Sequence, residues 1–116
     1  MSTFYKTIEK VCEKDPRYKY DAYEFVMQSL YITQRMLNRK GHVSARELLS
    51  GIRQSGIERF GSLAKLVFEH WGVRNTEDFG NLVFNLIREK ILSKTEEDSI
   101  DDFRSVYDFE DAFTDE

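Results

Sequence analysis

A chain of 116 residues with a net charge of −4 has room for one hydrophobic core, and 41% hydrophobic content with nine Phe and six Tyr is enough to build it. That content excludes whole-chain disorder, while one Pro and six Gly exclude collagen-like or linker-like chains. No apolar run approaches the roughly 18 residues of a membrane span, and the lone Cys12 excludes an internal disulfide and a cysteine-built zinc site.

Phe4, Ile8, Val11 and Cys12 recur at helical spacing and predict a first helix over 3–13. Asp15-Pro16 ends it, because the residue before proline avoids the helical region. After the connector Arg17-Tyr18-Lys19-Tyr20, Asp21 is expected to cap a second helix that runs to about Leu37. Its main apolar face is Ala22, Phe25, Val26, Leu30 and Met36 or Leu37, and Tyr23, Met27 and Tyr31 form a second stripe. Two apolar faces mark a helix that is central in the fold or that keeps one face for a partner, and the central place is the expectation. The basic loop Asn38-Arg39-Lys40-Gly41-His42 follows.

Ser44-Ala45-Arg46-Glu47 fits the capping box S-x-x-E and opens a third helix. Its inward positions are Leu48, Leu49, Ile52, Gly56 and Phe60. Gly51 and Gly56 each cost about 1 kcal/mol inside a helix, which predicts a neighbouring helix packed close by. Gly61 ends this helix, and Ser62 opens a short fourth one closed after Trp71 by Gly72 in the left-handed conformation. Thr76 is expected to cap a fifth helix over 76–90, with Phe79, Leu82, Val83, Leu86 and Ile87 inward. The expected core is Phe25, Leu49, Ile52, Val67, Trp71, Leu82, Val83 and Leu86.

Beyond residue 90 the period changes. Ile91-Leu92-Ser93-Lys94-Thr95 is partly β-forming, Glu96-Glu97-Asp98-Ser99 is a polar turn, and Phe103, Val106, Tyr107 and Phe109 bring apolar residues back. The pattern is therefore mainly α: a five-helix domain with a winged-helix-like C-terminal part and a short hairpin near 91–107, or alternatively a plain helical bundle. One domain spans 1–109, with 1–40 an added helical pair and 44–107 the winged-helix-like part; 110–116 form an acidic tail.

Several runs carry a resemblance. His42-Val43-Ser44-Ala45-Arg46-Glu47-Leu48-Leu49, Phe60-Gly61, Trp71-Gly72, Thr76-Glu77-Asp78-Phe79-Gly80, Lys94-Thr95-Glu96-Glu97-Asp98-Ser99 and Tyr107-Asp108-Phe109 follow one another along nearly the whole chain. Together they resemble a family of short bacterial proteins catalogued as the Verruc-Plancto-restricted conserved hypothetical proteins. The resemblance implies a bacterial cytoplasmic protein and carries over no activity and no site residue. Met1–Lys6 lack the apolar stretch of a signal peptide, which agrees with that expectation.

Chemistry-bearing motifs are absent from the sequence. His42 and His70 are the only histidines and sit in no HExxH. Cys12 falls on the apolar face of the first helix, where cysteine is usually inert. Glu96, Glu97, Asp98, Asp101 and Asp102 lack calcium-loop spacing. No phosphate-binding glycine loop and no G-x-S-x-G occurs. The expectation is no catalytic residue, no cofactor and no metal.

Charge is polarised. Residues 1–60 carry 11 Lys/Arg against 7 Asp/Glu, whereas 96–116 carry 10 acids against Arg104 alone. A winged-helix part suggests DNA, but the helix over 76–90 opens with Glu77 and Asp78 and the turn holds Glu96-Glu97-Asp98, all of which repel phosphate. Lys14, Arg17, Lys19, Arg39, Lys40 and His42 with Tyr18 and Tyr20 keep nucleic acid as the alternative partner. The leading expectation is a non-enzymatic protein-interaction module with no membrane association. Its docking residues are read as Tyr107, Phe109, Phe113, Glu110 and Asp111, with Phe113 an exposed anchor beside charges that steer a basic partner.

Overall fold

The structure is a computed structural model that describes residues 3–93 and 99–113. The helices are α1 (Thr3–Lys14), α2 (Tyr20–Met36), α3 (Ala45–Phe60), α4 (Ala64–His70), α5 (Thr76–Arg88) and α6 (Phe109–Ala112), with 3-10 turns at Gly61–Leu63 and Ile100–Phe103. The mainly helical expectation holds.

Local signals set most ends. Ser44 and Glu47 form the expected reciprocal capping box at α3, each side chain bonded to the other's backbone N–H. Gly61 and Gly72 take positive φ and turn the chain, as expected. Three assignments are corrected: Ser62 does not open α4, which starts at Ala64 after the 3-10 turn, with Leu63 before it and no side-chain cap. Lys19, not Asp21, precedes α2, and its backbone N–H is held by the Trp71 carbonyl at 3.1 Å. Asn75, not Thr76, caps α5, through its side-chain oxygen and the Asp78 N–H.

Thr76 has a different role. Its hydroxyl donates to the Phe103 carbonyl at 2.5 Å and accepts from the Val106 N–H at 3.2 Å. These bonds tie the returning chain to the start of α5, and a return strand cannot form there. Residues 100–103 are a 3-10 turn, and no strand occurs among the described residues. The hairpin near 91–107 is therefore not found in its described portion; residues 94–98 lie outside the described residues. The C-terminal boundary also shifts. Residues 110–113 belong to the domain, since Ala112 and Phe113 are buried. The remainder of the expected tail, 114–116, lies outside the described residues.

α2 and α3 pack antiparallel, with Thr33 against Gly51 near one end and Phe25 against Phe60 at the other. A Cβ at Gly51 would lie 1.9 Å from Thr33 Oγ1, which accounts for a glycine inside α3. Gly56 likewise faces the Phe68 and Phe113 rings. The expected close neighbour is thus α2 for one glycine and an aromatic cluster for the other.

Every expected core residue is buried except Val67, which is half-buried. The centre is aromatic. The Phe68 ring meets Phe25, Phe60, Trp71, Phe79, Phe109 and Phe113 at centroid distances of 5.2–6.2 Å.

Gly51→Ala should destabilise the fold by about 1–3 kcal/mol, the range for overpacking a filled contact. Adding Thr33→Ala removes the clashing oxygen, so the double variant should lose less than the sum of the two single variants. Urea unfolding of the four proteins measures this.

Candidate functional site

The expected docking segment is mostly enclosed. Phe109 is buried, Tyr107 is half-buried, and Phe113 is only 3% exposed. Phe113 packs edge-on against Phe68 at 5.2 Å and Phe109 at 5.3 Å. The Tyr107 hydroxyl donates to the Leu49 carbonyl at 2.7 Å, and burial pushes its pKa up. Phe113 as an exposed anchor is therefore corrected: its ring closes the core over Gly56, where no side chain competes for the space. Glu110 and Asp111 remain exposed, and Glu110 reaches Lys65 at 3.2 Å. The structure brings the five residues together, but as one wall of the core with an acidic outer edge.

The basic, tyrosine-rich surface is in part consumed internally. Lys14 pairs with Glu89 at 2.7 Å, Arg17 with Asp15 at 2.8 Å, and Arg39 with Glu47 at 2.7 Å. Tyr18 is buried, and Tyr20 lies against Tyr5 with ring centroids 4.9 Å apart. Cations already matched by carboxylates release few counterions to a phosphate backbone.

Sequence reading missed a polar seam between the α1–α2 connector and α5. Arg17 donates two bonds to the Asp15 carboxylate, through Nε and Nη2, both at 2.8 Å. Asn85 Nδ2 donates to Asp15 at 2.8 Å and to the Tyr23 hydroxyl at 3.0 Å, while its Oδ1 accepts from Arg88. Tyr18 donates to Asp78 at 2.5 Å and accepts from Asn81 at 3.0 Å. The signal was present as a polar stripe at Asp78, Asn81, Asn85 and Arg88, which by spacing alone reads as a solvated face. The bonds from Arg17 and Asn85 hold the Asp15 carboxyl well below the usual carboxylate range. Burial pushes the Tyr23 hydroxyl up to about 12, against the opposing bond from Asn85. Each group here is spent on its neighbour, so the seam is a structural clasp.

Other candidates give no reaction centre. Cys12 is half-buried, and its pKa is raised by burial and by Asp15 and Glu9, the opposite of thiolate activation. His70 is exposed on the last turn of α4. Among the described residues, no group of three His, Cys, Asp or Glu side chains is placed to hold a metal ion. None of the helices among the described residues is long and apolar enough to cross a membrane.

Two apolar features remain. One is the outer side of α2. Tyr31 is 61% and Met36 58% exposed, Ile32 and Leu37 are also exposed, and Met27 is half-buried beside them. The expected central place holds for α2, which packs on α1, α3 and α5, and Tyr23 is buried, but the second stripe emerges into solvent at Tyr31. Two guanidinium groups edge the patch. Arg35 sits 5.8 Å from the Tyr31 ring centroid, and Arg59 of α3 donates to Gln28 at 2.9 Å. Neither forms an ion pair among the described residues, and the carboxylates of α2, Asp21 and Glu24, lie in its first two turns. The other feature is a cleft of about 280 Å3 beside α2, lined from that helix by Leu30 and Gln34. Exposed apolar side chains elsewhere, such as Leu63 and Leu66, lie at α4.

No family model, curated protein or solved structure matches the chain.

Two outcomes follow. Phe113→Ala should cost about 3–5 kcal/mol in a chemical melt, as for a buried ring removed from a core. Asp15 has a folded pKa below its unfolded value of about 4, so its stabilisation is complete above that pH and is lost progressively as pH falls from there through the lower folded pKa. The stability of Asp15→Asn should accordingly be lower at neutral pH and fall less steeply than wild type between about pH 5 and 2, read from melting temperatures across that range.

Proposed function

We propose that this protein is a non-enzymatic protein-interaction module and that its docking face is the outer side of α2. The observation that carries this reading is the exposed apolar side chains Tyr31, Ile32, Met36 and Leu37 at the end of α2, where Met27, Gln28, Tyr31 and Ile32 line one shallow hollow, with two guanidinium groups nearby that have no carboxylate partner among the described residues. Clustered exposed apolar side chains with a polar edge are the usual mark of an interface. Aromatic, methionine and arginine side chains are the types enriched at interface centres. The partner is a protein surface that is apolar at its centre and acidic at its edge. Arg35 and Arg59 set orientation and encounter rate, and Tyr31 and Met36 set the lifetime of the complex.

Nucleic acid is the competing reading. Pairing of Lys14, Arg17 and Arg39 with carboxylates weighs against it.

The test uses the full chain as bait in lysate of its native host, beside Tyr31→Ala and Met36→Asp. Both positions are exposed, so melting temperatures should stay within a few degrees of wild type. Capture of the partner should weaken by about 30-fold or more, the effect of losing a contact of about 2 kcal/mol. Unchanged capture by both variants, or capture abolished by nuclease, would overturn the reading.

A further inference from the structure

The cleft beside α2 has walls from four parts of the chain. Leu30 comes from α2, Leu48 from α3, Val83 and Ile87 from α5, and Leu92 and Phe103 from the segments that follow. None of its fourteen lining residues is Asp, Glu, Lys or Arg. Gln34 and Ser44 on its rim are already bonded, while the exposed Ser93 has no hydrogen-bond partner among the described residues. Gln34 Nε2 donates to the Gly41 carbonyl at 2.8 Å and the Lys40 carbonyl at 3.3 Å. Ser44 exchanges bonds with Glu47 through its hydroxyl and its backbone N–H. The one buried side-chain polar atom without a hydrogen-bond partner among the described residues is Ser29 Oγ, which does not line the cleft.

The walls are also held in place. The bonds from Gln34 fasten the 38–43 loop to α2. Leu86 accepts the Ile91 N–H at 2.9 Å after Lys90 turns at positive φ, which folds the chain back beside α5. Phe103 is held through its carbonyl by Thr76 at 2.5 Å.

A pre-formed, mainly apolar space with no Asp, Glu, Lys or Arg among its lining residues selects its occupant chiefly by size and apolarity. Apolar cavities of about 150 Å3 already take up benzene. We infer that this cleft is a binding site for a small uncharged apolar molecule, of the size of a single aromatic ring or a six-carbon chain. The volume of about 280 Å3 corresponds to about nine water volumes at about 30 Å3 each. The inference stands apart from the α2 docking reading, since Tyr31, Ile32, Met36 and Leu37 do not line the cleft.

The probes are benzene, hexan-1-ol and hexanoate, added to the full chain and followed by methyl chemical shifts. Benzene and hexan-1-ol should give saturable shifts at Leu48, Val83 and Ile87, unaffected by added salt. Ala45→Phe places a ring at the mouth from a half-buried position that lines it, and should weaken both probes at least tenfold with the circular dichroism spectrum unchanged. Leu92→Trp fills the same space from the other side and serves if Ala45→Phe alters the fold. Shifts that are absent, lie elsewhere or survive both variants would overturn the site. Tighter, salt-sensitive binding of hexanoate would overturn the uncharged class.

Discussion

The ring of Phe68 is the contact on which the arrangement of α2 to α6 depends. It sits on a seven-residue helix whose first turn has no side-chain cap, too short to persist alone. What keeps α4 in place is its surroundings: Phe25 from α2, Phe60 from α3, Phe79 from α5, and Phe109 and Phe113 from the C-terminal segment. Several of these rings meet edge to face, at 87° for Phe79 and 78° for Phe113. Such pairs add about 0.5–1.5 kcal/mol each beyond the area they bury. Remove the hub and four helices lose a common neighbour.

A second constraint ties α1 and its connector to this core. Asp15 and Asn85 join the connector to α5 through a fully bonded polar cluster, and Tyr18 repeats the tie one turn away with Asp78 and Asn81. A buried polar group is costly without a partner, so the amide of Asn85 specifies one register between these elements. Gly72 permits the approach, since a Cβ there would lie 2.0 Å from the Arg17 carbonyl. Aromatic packing and polar matching thus divide the molecule between them.

These two constraints also decide what is left for function. The C-terminal aromatics are drawn inward to Phe68, and Lys14, Arg17 and Arg39 are drawn to carboxylates. The exposed end of α2 escapes both. Its apolar side chains Tyr31, Ile32, Met36 and Leu37 stay exposed. Apolar surface and two guanidinium groups without an ion pair among the described residues, Arg35 and Arg59, therefore remain at this helix.

Much of the secondary structure was determined by the sequence itself. The capping box at Ser44 and Glu47, the turns at Gly61 and Gly72 and the apolar period of α5 act within a few residues, so local chemistry suffices. The core of α3 and α5 was legible for the same reason, and Gly51 announced a close neighbour before that neighbour was identified as Thr33. Tertiary structure alone decided the rest. Alternating acids and aromatics at 107–113 look alike whether the rings face a partner or Phe68, and only the space over Gly56 settles it. Thr76 reads as a cap until the chain returns to offer it the Phe103 carbonyl. The stripe Tyr23, Met27 and Tyr31 is uniform in sequence, yet α5 covers its first member and nothing among the described residues covers its last. Asn81 and Asn85 look solvated until the connector supplies Tyr18, Asp15 and Arg17. In each case the deciding partner lies tens of residues away, where periodicity and propensity carry no information.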